Sequence, residues 1–225
     1  MFKYLRNFYN LFLKHKIFFP KKTYSCFGED IFVGKFFKKK NTGYYVDVGA
    51  YHPFFWNNTY SLYKKKWTGI NIDANPLSVE LFNVARPNDY NFNLAITDKN
   101  KNKIKLFYRR KMNVLNTTNE KFAKINFPNG CKIANVKCSS LNKVLDKTKY
   151  KGRIIDFLNL DVESTEKDVL KSLNFNIYKP KLICIEIHFN KLKDLKFNKT
   201  YQFLLKKGYK TMWRKKYSFI FSSKS

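Results

Sequence analysis

Cysteine is scarce: the 225-residue chain has four, Cys26, Cys131, Cys138 and Cys184. They form no CxxC pair and no zinc-type spacing, which excludes a sulfur-bound metal centre. A reduced, cytoplasmic chain is therefore expected, with Cys184, inside an apolar run, as a small core residue. No apolar stretch reaches the roughly 20 residues that a bilayer crossing needs, and no small-residue cleavage site follows the first 22 residues. Neither a spanning helix nor a removed signal peptide is expected. Histidine occurs three times, and acidic residues number 16 against 45 lysines and arginines, for a net charge of +29. Internal repeats and interdomain linkers are absent as well, so residues 23–225 read as a single domain behind a basic, aromatic segment, 1–22.

A hydrophobic content of 44%, with 18% aromatic, excludes a disordered chain. The charge on its face suggests an anionic partner. Lysine far outnumbers arginine, however, and asparagine, phenylalanine, tyrosine and isoleucine are abundant, which is what A/T-rich codons supply without selection for a ligand. No RNA-binding module stands out, and nucleic acid is not the expected partner. Residues 1–22 set Phe2, Tyr4, Leu5, Phe8 and Leu11 to Leu13 beside Lys14, His15 and Lys16. Such a segment suits a helix at a membrane surface, which would make the protein peripheral there, or one packed on the domain or a second copy.

The chain is organised around Gly43 to Pro76, GYYVDVGAYHPFFWNNTYSLYKKKWTGINIDANP. Tyr44 to Val48 is an apolar, aromatic and β-branched run fit for a central parallel strand, and Gly49 breaks it. Asn57, Asn58 and Thr59 can cap a helix ending in Lys64 to Lys66. Trp67 to Ile72 is a second strand, closed by Asp73. That acid follows Gly49 at about the 20-residue distance at which a βαβ nucleotide fold sets a carboxylate on a ribose. A helix over Leu77–Val84, a turn at Arg86-Pro87-Asn88 and a third strand over Tyr90–Ile96 complete a βαβαβ series, which calls for a parallel sheet with right-handed crossovers.

Further strands are expected at Lys103–Tyr108, Ile133–Cys138, Ile154–Leu160 and Lys181–His188. Residues 109–131 read as a long irregular loop, and a closing hairpin turns at Arg214 to Lys216 after Gly208 stops a helix over 200–207. The fourth of these strands, counting Tyr90–Ile96 as the first, ends in Asp161-Val162-Glu163-Ser164-Thr165-Glu166, at the end of the sheet where open α/β folds gather ligands. A helix cap is the bland role for Asp161 or Glu163. The strand Lys181–His188 ends in Glu186 and His188.

Asp-Val-Gly-Ala, His-Pro, Asn-Thr, Trp-Thr-Gly-Ile and Ile-Asp-Ala-Asn-Pro, together with the later Asp-Val-Glu run, resemble the FkbM-type family of S-adenosylmethionine-dependent methyltransferases. The Tyr24-Ser25-Cys26-Phe27-Gly28-Glu29-Asp30 stretch resembles the segment preceding the cofactor domain there, although Gly28 and the two acids also read simply as a helix start. Lys66 and Ser164 stand where the family usually has glycine. The resemblance implies an α/β, Rossmann-like class I methyltransferase fold: a mostly parallel seven-stranded sheet flanked by helices, with an antiparallel closing hairpin. It implies S-adenosylmethionine at Asp47, Gly49, Ala50, Asn58, Asp73 and Ala95, with Asp73 on the ribose and Ala95 beside the adenine. It also implies O-methylation of a sugar or glycan hydroxyl. The catalytic candidates are Asp161, Glu186 and His188, as bases or, for Asp161 and Glu186, as ligands of a divalent ion. The competing readings are an RNA methyltransferase and a non-catalytic, membrane-associated binding protein with a relict cofactor site.

Overall fold

The computed structural model describes residues 2–15, 21–110 and 112–223. Residues 16–20 of the N-terminal segment lie outside these. Ten strands occur among the described residues: β1 Tyr44–Val48, β2 Thr68–Asp73, β3 Tyr90–Asn93, β4 Ala95–Ile96, β5 Lys103–Tyr108, β6 Lys132–Ser139, β7 Phe157–Leu160, β8 Leu182–Glu186, β9 Tyr209–Lys215 and β10 Ser218–Ser223. Seven form one sheet in the order β3-β2-β1-β7-β8-β10-β9. The first five run parallel, and β10 is antiparallel to both β8 and β9. This is the expected class I methyltransferase architecture.

β1 is buried along its whole length, as a strand with helices on both faces must be. Tyr44, Val46 and Val48 join one core with Ile70, Leu158 and Ile183, while Tyr45 joins Trp67, Phe157 and Leu182 on the other face. Asp47 is the exception, a carboxylate pointing into an apolar layer. Arg86 belongs to the network that compensates it. Its guanidinium, wholly buried, donates to Thr59 Oγ1 (2.8 Å), Tyr45 Oη (3.2 Å), Asn57 Oδ1 (2.9 Å) and the Pro53 carbonyl. Asn57 and Thr59 in turn hold Asp47. A buried charge without such partners would cost several kcal/mol, on the order found for broken internal ion pairs.

Several boundaries differ from expectation. The third strand breaks at Leu94, whose N–H donates to the Asp73 carbonyl, and Ala95–Ile96 pair instead with β6. The loop 109–131 contains a helix, Glu120–Asn126, whose first N–H groups are capped by Asn119 Oδ1. β7 starts at Phe157 rather than Ile154, after Asp156 has taken the Tyr44 N–H and the ammonium groups of Lys40 and Lys181. β8 stops at Glu186 and leaves His188 outside the strand. The hairpin turns at Lys216 and Tyr217 rather than over Arg214 to Lys216, because β9 runs to Lys215 and Lys216 takes φ +51°. Lys66 and Ser164, at φ +63° and +78°, keep the left-handed backbone that favours glycine, and accept a strain of about 1 kcal/mol each.

The N-terminal helix runs from Phe2 to Phe8 and continues as a π-helical stretch, Tyr9–Leu13. It packs on the domain through buried Asn7 and Leu11. Arg6 pairs with Glu80 at 2.5 Å, and the His52 ring donates from Nε2 to the Asn10 carbonyl at 2.9 Å. The tautomer follows, since His52 Nδ1 accepts from the Phe54 and Phe55 amides. Burial holds this ring down at a pKa of about 3, so it stays neutral.

Candidate active site

At the carboxyl ends of β1, β2, β7 and β8 lies a cavity of about 230 Å³, where open α/β sheets gather ligands. Gly49 forms its floor. Its φ is +79°, and a Cβ there would lie 1.8 Å from the Asp161 carbonyl oxygen, so the turn admits only glycine. The Gly49 and Ala50 amides donate to the Ile72 carbonyl, which folds the turn over the end of β2.

Asp73 lines this cavity. Its two oxygens accept one backbone N–H each, from Tyr51 (2.8 Å) and Asn75 (2.7 Å). Burial raises its pKa while those amides draw it back. The Ser78 side chain also favours the charged form, and with about two acceptor positions on each oxygen the carboxylate retains capacity for a ligand hydroxyl. Next to it, Ile72, Leu94, Ala95, Ile96 and Leu106 make an apolar wall suited to a flat ring.

Asp47 and Ala50 lie beneath the cavity rather than in its wall. Asp47 accepts from Asn159 Nδ2 (2.8 Å), Thr59 Oγ1 (2.9 Å) and Asn57 Nδ2 (3.2 Å). Burial raises its pKa against these three bonds. Its geometric role is to fix Asn159, whose Oδ1 accepts from Asn58 Nδ2 at 2.8 Å, and Asn58 and Asn159 do reach the wall.

The opposite end of the cavity is acidic, with Glu29, Asp161, Glu163 and Glu186 in its wall. Asp161 follows β7, and its N–H donates to the Val48 carbonyl. Its carboxylate accepts no hydrogen bond from any described residue. Asp161 is exposed at the cleft, yet the protein atoms packed around it, then Glu186, Glu163, Glu166 and Asp47, raise its pKa well above the usual carboxylate range. Burial and Glu186 raise Glu163 to about 8, and burial raises Glu166 to about 7. His188 Nε2 lies 3.3 Å from Glu186 Oε2, and that carboxylate raises the imidazole pKa.

Neither Asp161 nor Glu163 caps the following helix, whose N-cap is Thr165. The acids of the earlier segment also do more than start a helix. Glu29 accepts the Phe27 N–H at 2.8 Å, and Asp30 ties down Tyr24 and Ser25. Asp161 and Glu186, the pair expected from the sequence as possible ion ligands, both line the cavity. Among the described residues, Glu163, Glu186 and His188 form a group of three that could hold a metal ion, with ligand atoms within 4.8 Å of one another.

Gly49, Asp73, Ala95, Asn58, Asp161 and Glu186 are thus brought to one cavity, and His188 stands behind Glu186. The reading of the sequence placed Glu163 in the Asp-Val-Glu run without assigning it to the site, and it missed Asn159 as the link between Asp47 and Asn58 and Arg86 as the support beneath. The Asp-Val-Glu run carried the signal for the first; nothing local marks the other two.

No curated protein matches the chain. A family model described as the methyltransferase FkbM domain matches residues 47–211, a span that runs from the end of β1 into the start of β9 and holds both acid motifs. The chain therefore belongs to the FkbM methyltransferase family and is an S-adenosylmethionine-dependent methyltransferase.

Proposed function

We propose that the protein methylates a hydroxyl of a sugar or glycan, with Asp161 as the base. The unpartnered Asp161 carboxylate in the cavity wall carries this reading. S-adenosylmethionine supplies an electrophilic methyl group on a cationic sulfur. Three features of the cavity fit it: the glycine floor, the free acceptor positions of Asp73, and the apolar wall at Ala95. The acidic end of the cavity complements a cationic donor, in a chain whose net charge is +29. Asp73 would hold the ribose hydroxyls, Asn58 and Gly49 would border the amino-acid end, and Ala95 would face the adenine.

For the transfer itself the acceptor hydroxyl must lie in line and lose its proton as the new bond forms. Asp161 accepts that proton, and Glu186, tied to His188, stands next to it. The same acids disfavour a phosphodiester at the reacting end, which weighs against RNA as the acceptor. Incubation with labelled S-adenosylmethionine and fractionated glycans, lipids and RNA tests the reading. Label must enter the glycan or glycolipid fraction. Label in RNA alone would refute the acceptor, and an absence of turnover would favour the relict-site alternative.

Asp73→Ala should weaken S-adenosylmethionine binding by roughly 1.5–3 kcal/mol, the range for hydrogen bonds to a charged group. Calorimetry on the folded variant is the check, and unchanged affinity would remove Asp73 from the donor site.

We further infer that the N-terminal helix meets an anionic membrane surface. No described helix is long and apolar enough to cross a membrane, but the outer side of this one leaves Phe2 85% and Tyr4 80% exposed, with Leu5, Phe8 and Tyr9 beside them. Aromatics with nearby lysines favour the interface of an acidic bilayer. Serine at Phe2, Tyr4, Leu5 and Phe8 keeps the charge and the buried contacts of Leu11. Wild type should sediment with phosphatidylserine vesicles and this variant should not; equal sedimentation of the two would discard the helix as the contact.

A further inference from the structure

A second, shallower groove of about 490 Å³ adjoins the donor cavity. The two share Tyr51, Trp56, Asn113 and Val114 as walls. Their chemistry is opposite. Among the described residues the groove has no acid in its lining, and it presents Arg109 and Arg110. Neither guanidinium has an ion-pair partner among the described residues, although the pairing of other exposed cations, such as Arg6 with Glu80, shows that acids are used where they are within reach.

Trp56 is the second element. It is 47% exposed, and its ring stacks on Phe55 at 4.8 Å with 22° between the planes. Phe55 in turn stacks on the His15 ring at 4.0 Å and 14°. The Trp56 backbone has φ +48°, an uncommon conformation for a bulky residue that surrounding structure must hold in place. A large indole is thereby kept at the junction of the two cavities, backed by two further rings, instead of entering the core. Flat aromatic faces take the apolar face of a sugar ring, and paired guanidiniums match a phosphoryl group. One Arg fork satisfies both oxygens of a carboxylate; two adjacent forks suit a doubly charged phosphate.

We propose that this groove binds the acceptor, a phosphorylated sugar, with its ring on Trp56 and its phosphate on Arg109 and Arg110. The inference rests on the sugar-hydroxyl reading above and narrows it to one substrate class. The phosphate is held at the basic groove, away from the acids around Asp161, and the hydroxyl to be methylated projects through the shared wall.

Binding without turnover separates this idea from the reading it rests on. Glucose 1-phosphate and glucose are titrated by calorimetry into the full-length protein with S-adenosylhomocysteine present, and into the Arg109→Ala/Arg110→Ala double variant. Wild type is expected to bind the phosphorylated sugar about 10-fold or more tightly than glucose, and the double variant to lose that preference while keeping its S-adenosylhomocysteine affinity. Trp56→Ala should weaken both sugars. A hexose linked through phosphate to a polyprenyl chain, presented in uncharged vesicles, distinguishes a lipid-borne source from a free one, and tighter binding of either form supports the proposal. Equal affinity for the two sugars in wild type, a preference that survives the double substitution, or displacement of glucose 1-phosphate by a short RNA at lower concentration would overturn it. If S-adenosylhomocysteine itself fails to bind, the methyl-transfer reading falls, whatever the groove prefers.

Discussion

Asp161→Asn is expected to lower turnover by about 10²-fold or more, the usual contribution of a positioned base, and to leave S-adenosylmethionine affinity almost unchanged. Asparagine keeps the size of the side chain but cannot take a proton. In wild type the acid group is raised by its surroundings in the cleft and then by Glu186 and Glu163, so the fraction able to take a proton grows with pH. Turnover should therefore climb as pH rises, including the interval around about 8 in which Glu163 ionises, and the asparagine variant should lose most of that climb. Stability moves the other way. Carboxylates raised in the folded state contribute stability that is complete below their unfolded values and is lost as pH rises through about 7 for Glu166 and about 8 for Glu163. A melting temperature that increases across that window would contradict the cluster. A near-normal rate for the folded, donor-bound variant would transfer the role to Glu186. A chelator adds a further division, since only transfer assisted by an ion on Glu163, Glu186 and His188 should respond strongly to it.

Gly49→Ala is expected to be the most damaging single methyl group in the domain. The added Cβ would lie 1.8 Å from the Asp161 carbonyl oxygen and 2.7 Å from its carbon, both backbone atoms that no rotamer change can move. Left-handed backbone costs an L-residue roughly 1–2 kcal/mol, and overpacking typically adds about 1–3 kcal/mol. The overlap falls where the ends of β1 and β7 jointly place the cavity floor and Asp161, so, on the proposed reading, donor affinity and melting temperature should drop together. A variant with wild-type melting and wild-type affinity would show that the two strand ends can separate freely.

The half of the cavity proposed to take the donor was legible as structure because its signals are local. Tyr44 to Val48 announces a buried strand by composition, and the glycine and the acid that follow are placed by one βαβ unit. The break at Leu94 was not legible, because NFNLAIT is equally good strand throughout. What ends β3 is pairing of Ala95 with Cys138 on another sheet. The helix Glu120–Asn126 carried a readable cap in Asn119, yet its seven residues are too few for a convincing period. Arg86 reads as the start of a turn before proline; only the packed structure shows it buried among Tyr45, Tyr63 and Phe82. The acidic cluster was half visible: the Asp-Val-Glu motif supplied Asp161 and Glu163, but their raised pKa values come first from the packing around them and then from Glu186, delivered by a separate strand.

The position of β1 between β2 and β7 has a consequence for how the molecule comes into being. One neighbour follows almost at once, but the bond from Asn159 to Asp47 closes a loop of 112 residues. The entropy of that closure grows only slowly with length, yet contacts so far apart in sequence delay folding. On the ribosome, the segment that forms the donor floor emerges with one edge of an apolar strand unpaired, and it stays so until β7 has been made. Such an edge is a template for the wrong partner. Growing chains truncated before Phe157 should therefore aggregate, and should acquire neither donor binding nor the acidic cluster until the second half arrives.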